Sequence, residues 1–233
     1  MSTDRDAHKK QAAMEAVAMV QDGMVVGLGT GSTAAFAIDG LIARVRGGLR
    51  IVAIPTSERS AAQARGGGIA LTDFATHRKV DLTIDGADEI ARGSLDLVKG
   101  LGGALLREKI VAAASERLVI IGDEPKLVSQ LGDTVPVPVE VVPFGWETTA
   151  ERLSRLGAVP ALRREPQGEA FRTDGGNLIL DCRFGPITDP AEMERALSAT
   201  VGVVETGLFI GMASLALVAT GQGVLRLERG ATA

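Results

Sequence analysis

The sequence contains one cysteine and two histidines among 233 residues, which excludes several kinds of site. Cys182 has no second cysteine to pair with, so neither an intrachain disulfide nor a cysteine metal cluster can form. Its apolar strand-like surroundings favour a core position over a nucleophilic role. With only His8 and His77, a histidine-rich zinc site is not expected. We therefore expect a protein that needs neither a metal nor a cofactor.

Long apolar runs and an excess of basic residues are also missing. No segment reaches the roughly 18 to 20 apolar residues that span a bilayer, and residues 1–6 contain no apolar signal core. The formal net charge of −4 gives no electrostatic footprint for nucleic acid. These features predict a cytoplasmic protein that binds neither membranes nor nucleic acids. Binding of an anion would then depend on local donors such as Lys99 and Lys126.

The first half of the chain alternates apolar strands with amphipathic helices. This rhythm predicts a mainly parallel sheet with helices on both faces, that is, a Rossmann-like α/β domain. The predicted helices are 6–21, 34–45, 58–65 and 103–116. The predicted strands are 24–28, 50–54, 69–71, 80–84 and 118–121.

The rhythm changes at about residue 131 to the order β-α-β-β-α-β, which is typical of a smaller ferredoxin-like α+β domain. Strands 213–219 and 224–227 then return to the first sheet. We predict a Rossmann-like catalytic domain of residues 1–130 and 209–233, and a small domain of residues 131–208. The predicted elements of the small domain are strand 135–142, helix 146–156, strands 158–163 and 177–182, helix 190–197 and strand 201–208.

Residues 25–34 form an apolar strand that runs into a glycine-rich turn and a helix. Backbone N–H groups and the hydroxyls of Thr30, Ser32 and Thr33 make this turn a candidate anion cradle. A Walker A loop would need a lysine that is absent here, and Ile54–Pro55 stands where a dinucleotide-binding fold needs an acidic residue. The alternative is a structural turn without a ligand.

A second candidate feature is the strand that ends in Asp85 and Asp88. Because ligands of open α/β sheets bind outside the carboxyl ends of the strands, both aspartates should face the crevice of the glycine-rich turn. Paired carboxylates raise one another's pKa, which suits proton exchange with an oxygen. An Asx turn with a helix cap, or a Mg²⁺ site, is the alternative.

The segment 98–109 contains Lys99, a glycine turn and Glu108, which we expect in the second turn of the following helix. Glycines allow the backbone to approach a ligand closely, and a helix N-terminus favours anions. A partly desolvated Glu108 would have a raised pKa and could act as a base. The neighbours expected to desolvate it are Leu105, Leu106 and Ile110. The alternative is a solvated face of Arg107, Glu108 and Lys109.

Together these segments closely resemble the type A ribose-5-phosphate isomerase family, in order and spacing along nearly the whole chain. Leu101 replaces a glycine of some members, and Ser214 stands where many have aspartate. The segments that carry the resemblance are 29–33, 55–57, 85–89, 99–103, 107–109, 137–141 and 174–177.

The resemblance implies metal-free interconversion of ribose 5-phosphate and ribulose 5-phosphate in the non-oxidative pentose phosphate pathway, by a homodimer or a dimer of dimers. It marks Glu108 as the acid/base residue, with Asp85, Asp88 and Lys99 as further catalytic residues. The substrate-binding residues that it implies are Thr30, Gly31, Ser32, Thr33, Asp85, Gly86, Ala87, Asp88, Lys99, Gly100, Leu101, Gly102 and Lys126.

For the chemistry, we expect the phosphate to bind the turn from Thr30 to Thr33 and Asp85 to exchange a proton with the ring oxygen. Glu108 would move a proton between C2 and C1 through a cis-enediolate, which Lys99 and the amides of residues 100–103 would stabilise. Two alternatives are a non-catalytic sugar-phosphate sensor and another enolising enzyme, such as an amino-sugar phosphate deaminase or a coenzyme A transferase.

Overall fold

The computed structural model describes residues 2–230, and the side chains from residue 6 onwards. It contains helices, strands and one 3₁₀ helix, Glu124–Lys126. The helices are α1 (Ser2–Ala18), α2 (Ser32–Arg46), α3 (Glu58–Gly67), α4 (Leu105–Ala113), α5 (Trp146–Arg155) and α6 (Pro190–Ser198). The strands are β1 (Val25–Leu28), β2 (Val52–Pro55), β3 (Ala70–Leu71), β4 (Leu82–Gly86), β5 (Glu89–Ala91), β6 (Leu97–Val98), β7 (Leu118–Asp123), β8 (Leu127–Val128), β9 (Val137–Val141), β10 (Val159–Leu162), β11 (Leu178–Arg183), β12 (Val203–Thr206), β13 (Leu208–Phe209), β14 (Leu215–Thr220) and β15 (Gly223–Glu228).

The largest sheet has seven strands in the order β15-β14-β7-β4-β1-β2-β3. Every neighbouring pair is parallel except β14 and the edge strand β15. The predicted α/β class and the return of the chain to the first sheet are therefore confirmed. Among residues 2–230, no helix is both long and apolar enough to cross a membrane.

The second sheet has the order β10-β11-β9-β12 and is antiparallel throughout. With α5 and α6 it forms the predicted ferredoxin-like arrangement, in which the first strand of the unit lies between the third and the fourth. Apolar residues of this sheet and both helices, including Val139, Leu153, Leu180 and Leu197, share one buried cluster. The limits 131–208 remain our proposal for this domain.

A third sheet, in the order β13-β6-β5-β8, was not predicted. Its strands are two or three residues long, which is too short to produce a readable alternation. The predicted strand 201–208 is also divided, because β13 leaves the second sheet and pairs with β6. Residues of the third sheet pack in the apolar clusters of both larger sheets. Its strands β5 and β6 lie at the two ends of the segment between Asp88 and Lys99.

Successive side chains of β4 point to opposite faces of the sheet, so they pack against different helices. Leu82 and Ile84 pack in the cluster that contains α1 and α2. Asp85 therefore points to the opposite face, where α4 lies and where Val111 packs with Ile54. The fold in this way brings a strand-end aspartate and the first turn of α4 together on one side of the sheet.

Candidate active site

The glycine-rich turn connects β1 to α2, as predicted. Gly31 has φ 121°, a conformation that favours glycine, and α2 begins at the next residue. Gly31, Ser32 and Thr33 line a cavity at this helix N-terminus. The turn therefore presents backbone donors and two hydroxyl-bearing residues to a bound anion.

Thr30 also borders the cavity, but its hydroxyl points into the protein. Its Oγ1 lies 2.7 Å from Thr56 Oγ1 and donates to Ser57 Oγ at 2.8 Å. Ser60 completes this buried cluster by donating to the Gly29 carbonyl at 2.7 Å. Thr30 thus fixes the shape of the turn with its side chain and faces the cavity with the remaining atoms.

Lys9 is a site residue that the sequence interpretation missed. Its Nζ donates to Ser32 Oγ at 3.2 Å, and the side chain lines the cavity. The sequence did contain a signal for this position. Ala12, Ala13 and Ala16 are buried, and Lys9 precedes them by three, four and seven residues, which places it on the same face of the helix. A lysine on the buried stripe of a helix is directed toward the protein rather than toward bulk solvent.

A buried ion triad forms the floor of the site. Lys99 Nζ lies 2.9 Å from Asp85 Oδ2 and 3.5 Å from Glu108 Oε1, and it donates to the Gly86 carbonyl at 2.6 Å. All three side chains are at most 4% exposed. The second carboxylate oxygen of Glu108, Oε2, is buried without a hydrogen-bond partner among the described residues. It is the oxygen available to accept a proton.

Burial sets the protonation behaviour of this triad. It raises the pKa of Glu108 to about 8, with a further contribution from Asp85 and Asp88, while the charge of Lys99 acts in the opposite direction. Burial likewise raises the pKa of Asp85, partly offset by Lys99. Burial disfavours the Lys99 charge, but Asp85 and Glu108 outweigh this and raise its pKa to about 12. Lys99 is thus a fixed cation, and Glu108 titrates near neutrality.

Glu108 lies in the first turn of α4, not in the second as predicted, because the helix starts at Leu105. Gly103, with φ 83°, belongs to the preceding turn and delays the start. Leu105 is buried as expected, whereas Ile110 is 48% exposed and does not shield the carboxylate.

Asp88 and Lys99 come together through the unpredicted third sheet. Strands β5 and β6 pair Glu89 with Val98, and Asp88 N donates to the Val98 carbonyl at 2.8 Å. Asp88 Oδ2 in turn accepts from Leu101 N at 2.9 Å. The alternative considered for the aspartates, an Asx turn with a helix cap, is not formed, because a strand follows Asp88.

The cavity has a volume of about 210 Å³, which suits a small metabolite. Two residues predicted to contact substrate do not line it. Asp85 is 1% exposed and uses both oxygens within the protein, and Leu101 contributes its N–H to Asp88. The lining residues are Lys9, Thr30, Gly31, Ser32, Thr33, Gly86, Ala87, Asp88, Lys99, Gly100, Gly102, Glu108, Asp123 and Lys126.

Asp123 is a second missed residue. It ends β7, is 5% exposed, and its Oδ1 has no hydrogen-bond partner in the described part of the chain. An acidic residue at the carboxyl end of a parallel strand is the same signal that identified Asp85. Ser214, by contrast, donates to the Leu118 carbonyl at 3.0 Å and does not line the cavity.

Among the side chains that the structure describes, those of residues 6–230, no group of three or more His, Cys, Asp or Glu could hold a metal ion. The site instead combines an anion cradle, a fixed ammonium group and a buried carboxylate that titrates near neutrality. This combination on a doubly wound sheet is typical of an enzyme that moves protons on a small anionic substrate.

Comparisons with known proteins identify the family. The sequence model of ribose 5-phosphate isomerase A (phosphoriboisomerase A) matches residues 52–223. Ribose-5-phosphate isomerase A of Gloeobacter violaceus is 64% identical over 95% of this chain and 96% of its own. The structure of ribose 5-phosphate isomerase A from Methanocaldococcus jannaschii superposes with a TM-score of 0.92 at 40% identity, covering 96% of this chain and 99% of its own. A D-ribose-5-phosphate isomerase solved with phospho-erythronic acid has a TM-score of 0.93 at 38% identity, covering 97% and 99%.

The chain belongs to the ribose 5-phosphate isomerase A family. The resemblance inferred from the sequence is therefore confirmed.

Proposed function

We propose a mechanism in which Glu108 moves the proton that interconverts ribose 5-phosphate and ribulose 5-phosphate. The reaction itself follows from membership of the family, and the enzyme is an isomerase. The observation that carries the mechanism is the buried carboxylate of Glu108: its Oε1 lies 3.5 Å from the ammonium group of Lys99, and its Oε2 has no hydrogen-bond partner in the described part of the chain. A direct assay of ribose 5-phosphate conversion tests the activity.

The substrate phosphate binds at the N-terminus of α2, between Ser32, Thr33 and Lys9. Helix N-termini attract anions through their free N–H groups and the helix dipole, and Lys9 adds a full positive charge. Lys126, which also lines the cavity, supplies a further cation to the sugar phosphate. This anchoring leaves the opposite end of the sugar beside Glu108.

Ring opening requires a group that exchanges a proton with the ring oxygen. We now assign this role to Asp88 instead of Asp85, because Asp88 lines the cavity while Asp85 is engaged with Lys99 and two backbone N–H groups. Asp85 remains essential in this proposal, since it holds the Lys99 ammonium group in place.

Glu108 then takes the C2 proton and returns it to C1, while the hydroxyl proton moves from O2 to O1, so that the aldose becomes the ketose without a net gain or loss of protons. Negative charge develops on the enediolate oxygens, and Lys99 stabilises it together with the backbone of the turn from Gly100 to Gly103. A positioned base contributes about 10² to 10⁴ in rate, so anchoring and charge stabilisation supply the remainder.

The pH dependence of kcat/KM should report Glu108. A base acts when it is deprotonated, so kcat/KM is expected to rise as the pH increases through about 8, the pKa of this carboxyl. The rise should level off above that pH, because Lys99 keeps its proton up to about 12. An initial-rate series from pH 5 to pH 10 measures this limb. A rise in kcat/KM centred near pH 4.5, the ordinary pKa of glutamate, would contradict the assignment.

Weakening the phosphate site should raise KM. Ser32→Leu blocks the hydroxyl at the helix start, and Lys9→Met removes a charge whose hydrogen bonds contribute roughly 1.5–3 kcal/mol, so KM should rise about tenfold or more. Lys10→Met is the matched control, because Lys10 is the next residue of α1, is exposed and does not line the cavity. Steady-state kinetics with ribose 5-phosphate tests this. An unchanged KM in both variants would place the phosphate elsewhere.

Chelation should leave the activity intact. In this mechanism the Lys99 ammonium group performs the electrophilic role that a divalent cation takes in metal-dependent enzymes. Rates measured before and after exhaustive EDTA treatment are expected to agree. Loss of turnover that Mg²⁺ or Zn²⁺ restores would refute the metal-free mechanism.

We also propose a homodimer or a dimer of dimers, which light scattering at micromolar concentration distinguishes from a monomer. A cytoplasmic location is part of the same proposal, and it agrees with the metabolic reaction of the family.

A further inference from the structure

Arg163 reaches from the small domain to the turn from Gly100 to Gly103 in the larger domain, which we call the catalytic turn. It directly follows β10, and its Nη1 donates to the Gly100 carbonyl at 2.9 Å and to the Leu101 carbonyl at 3.1 Å. Neither Arg163 nor its partners in the small domain line the cavity. Any effect of Arg163 on the reaction must therefore pass through the turn.

The guanidinium group of Arg163 is itself held on two sides. Asp181 on β11 accepts from both Nε, at 3.0 Å, and Nη2, in the two-pronged geometry that fixes an arginine most firmly. The Phe171 ring lies 5.8 Å from the guanidinium carbon. With a side chain only 13% exposed, Arg163 is a rigid donor instead of a solvated surface charge.

Phe171 also supports the far end of the turn. Gly103 has φ 83°, and a Cβ added there would overlap the Phe171 ring. The turn is thus in contact with the small domain at Gly100 and Leu101 through Arg163 and at Gly103 through Phe171.

The planarity of the peptide bond gives these contacts a consequence inside the cavity. The carbonyl of one residue and the N–H of the next share a plane and point in opposite directions. The Gly100 carbonyl binds Arg163 while the Leu101 N–H of the same peptide donates to Asp88, which lines the cavity. By the same geometry, binding of the Leu101 carbonyl to Arg163 directs the Gly102 N–H away from Arg163, and Gly102 also lines the cavity.

We infer that Arg163 is a positioning residue for the isomerisation: it orients two peptides so that the Leu101 N–H holds Asp88 and the Gly102 N–H faces the developing enediolate charge. The small domain thereby sets the geometry of the catalytic turn. This inference rests on the proposed function. It adds to that proposal a specific backbone donor, the Gly102 N–H, and the side chain that orients it, Arg163.

The test separates kcat from KM. Arg163→Met removes both carbonyl contacts, so kcat should fall about 10²-fold, the loss typical of one donor to a developing oxyanion, while KM changes less than about threefold. Arg163→Lys keeps the charge but not the planar guanidinium group. It should therefore lower kcat by a smaller factor than Arg163→Met, again with little change in KM. Asp181→Asn weakens the hold on the Arg163 guanidinium group, so it should lower kcat by about as much as Arg163→Lys and change KM equally little. Arg164→Met is the matched control, because Arg164 is the next residue, is exposed, directs its side chain to the Gly168 carbonyl and does not line the cavity.

Thermal melting and binding of phospho-erythronic acid are measured on the same variants, to establish that the loss occurs in folded protein. If Arg163→Met does not fold, Arg163→Lys and Asp181→Asn carry the test. An unchanged kcat, a loss confined to melting temperature, or a rise in KM alone would overturn the inference. A wild-type protein that does not isomerise ribose 5-phosphate would instead overturn the proposed function.

Discussion

Replacing Glu108 with Gln is expected to lower kcat by at least about 10²-fold while the protein still binds its ligand. Glutamine keeps the size and most of the packing of glutamate, but it cannot accept the C2 proton. Steady-state kinetics gives the loss in kcat, and calorimetric titration with ribose 5-phosphate measures retained binding. A variant that isomerises at near the wild-type rate would refute the assignment and make Asp88 the next candidate.

Stability provides an independent control for this variant. The folded pKa of Glu108, about 8, is raised above the ordinary value of 4.5, so protonation favours the native state. That contribution is fully present below about pH 4.5 and is lost as the pH rises through about 8. Because glutamine does not ionise, Glu108→Gln should melt at or above the wild-type temperature at pH 9. A large loss of stability there would indicate a structural role instead.

Removing the charge of Lys99 should have the second large effect. Lys99→Met removes the cation that stabilises the enediolate, and kcat/KM is expected to fall by about 10²- to 10³-fold. The same change removes the interaction that lowers the pKa of Glu108, so the rising limb of the pH profile should move to higher pH. Kinetics across the pH range measures both effects.

Lys109→Met is the matched control for Lys99→Met. Both ammonium groups lie over the Phe209 ring, at 5.4 Å for Lys99 and 5.0 Å for Lys109. Lys109, however, pairs with Glu205 at 2.6 Å and does not line the cavity. Equal losses in the two variants would mean that the effect arises from packing on Phe209, contrary to the proposed electrostatic role of Lys99.

The main architecture was predictable because it repeats a local pattern many times. Strands such as β1, β4 and β7 are apolar, are followed by turn residues and alternate with helices of readable period, which specifies a parallel sheet. The order β-α-β-β-α-β likewise specified the small domain. Since ligands bind at the carboxyl ends of such strands, the glycine-rich turn and Asp88 could be assigned to one crevice in advance, whereas the same assignment for Asp85 was wrong because its side chain is buried against Lys99.

The third sheet was not predicted for two reasons: its neighbouring strands β5 and β6 are only three and two residues long, and its outer strands β13 and β8 join them from distant parts of the chain. Leu208–Phe209 pairs with Leu97–Val98, more than 100 residues earlier in the sequence. This sheet matters for the site, because the pairing of β5 with β6 brings Asp88 beside the start of the catalytic turn.

The orientation of individual side chains was the other limit. The sequence does not show that Asp85 faces Lys99 inside the protein while Asp88 faces the cavity, because both aspartates lie close together at the end of one predicted strand. The role of Arg163 was likewise not visible, since an arginine after a short strand is normally a solvated surface residue. Both depend on tertiary neighbours supplied by other elements.

The fate of the hydrogen at C2 tests the central claim most directly. Ribose 5-phosphate carrying deuterium at C2 is incubated with wild-type protein and with Glu108→Gln, and the label is followed by NMR. We predict that the wild-type protein removes deuterium from C2 and that the variant leaves it in place while still binding ribose 5-phosphate. Loss of the label at the wild-type rate in Glu108→Gln would show that another group abstracts the proton.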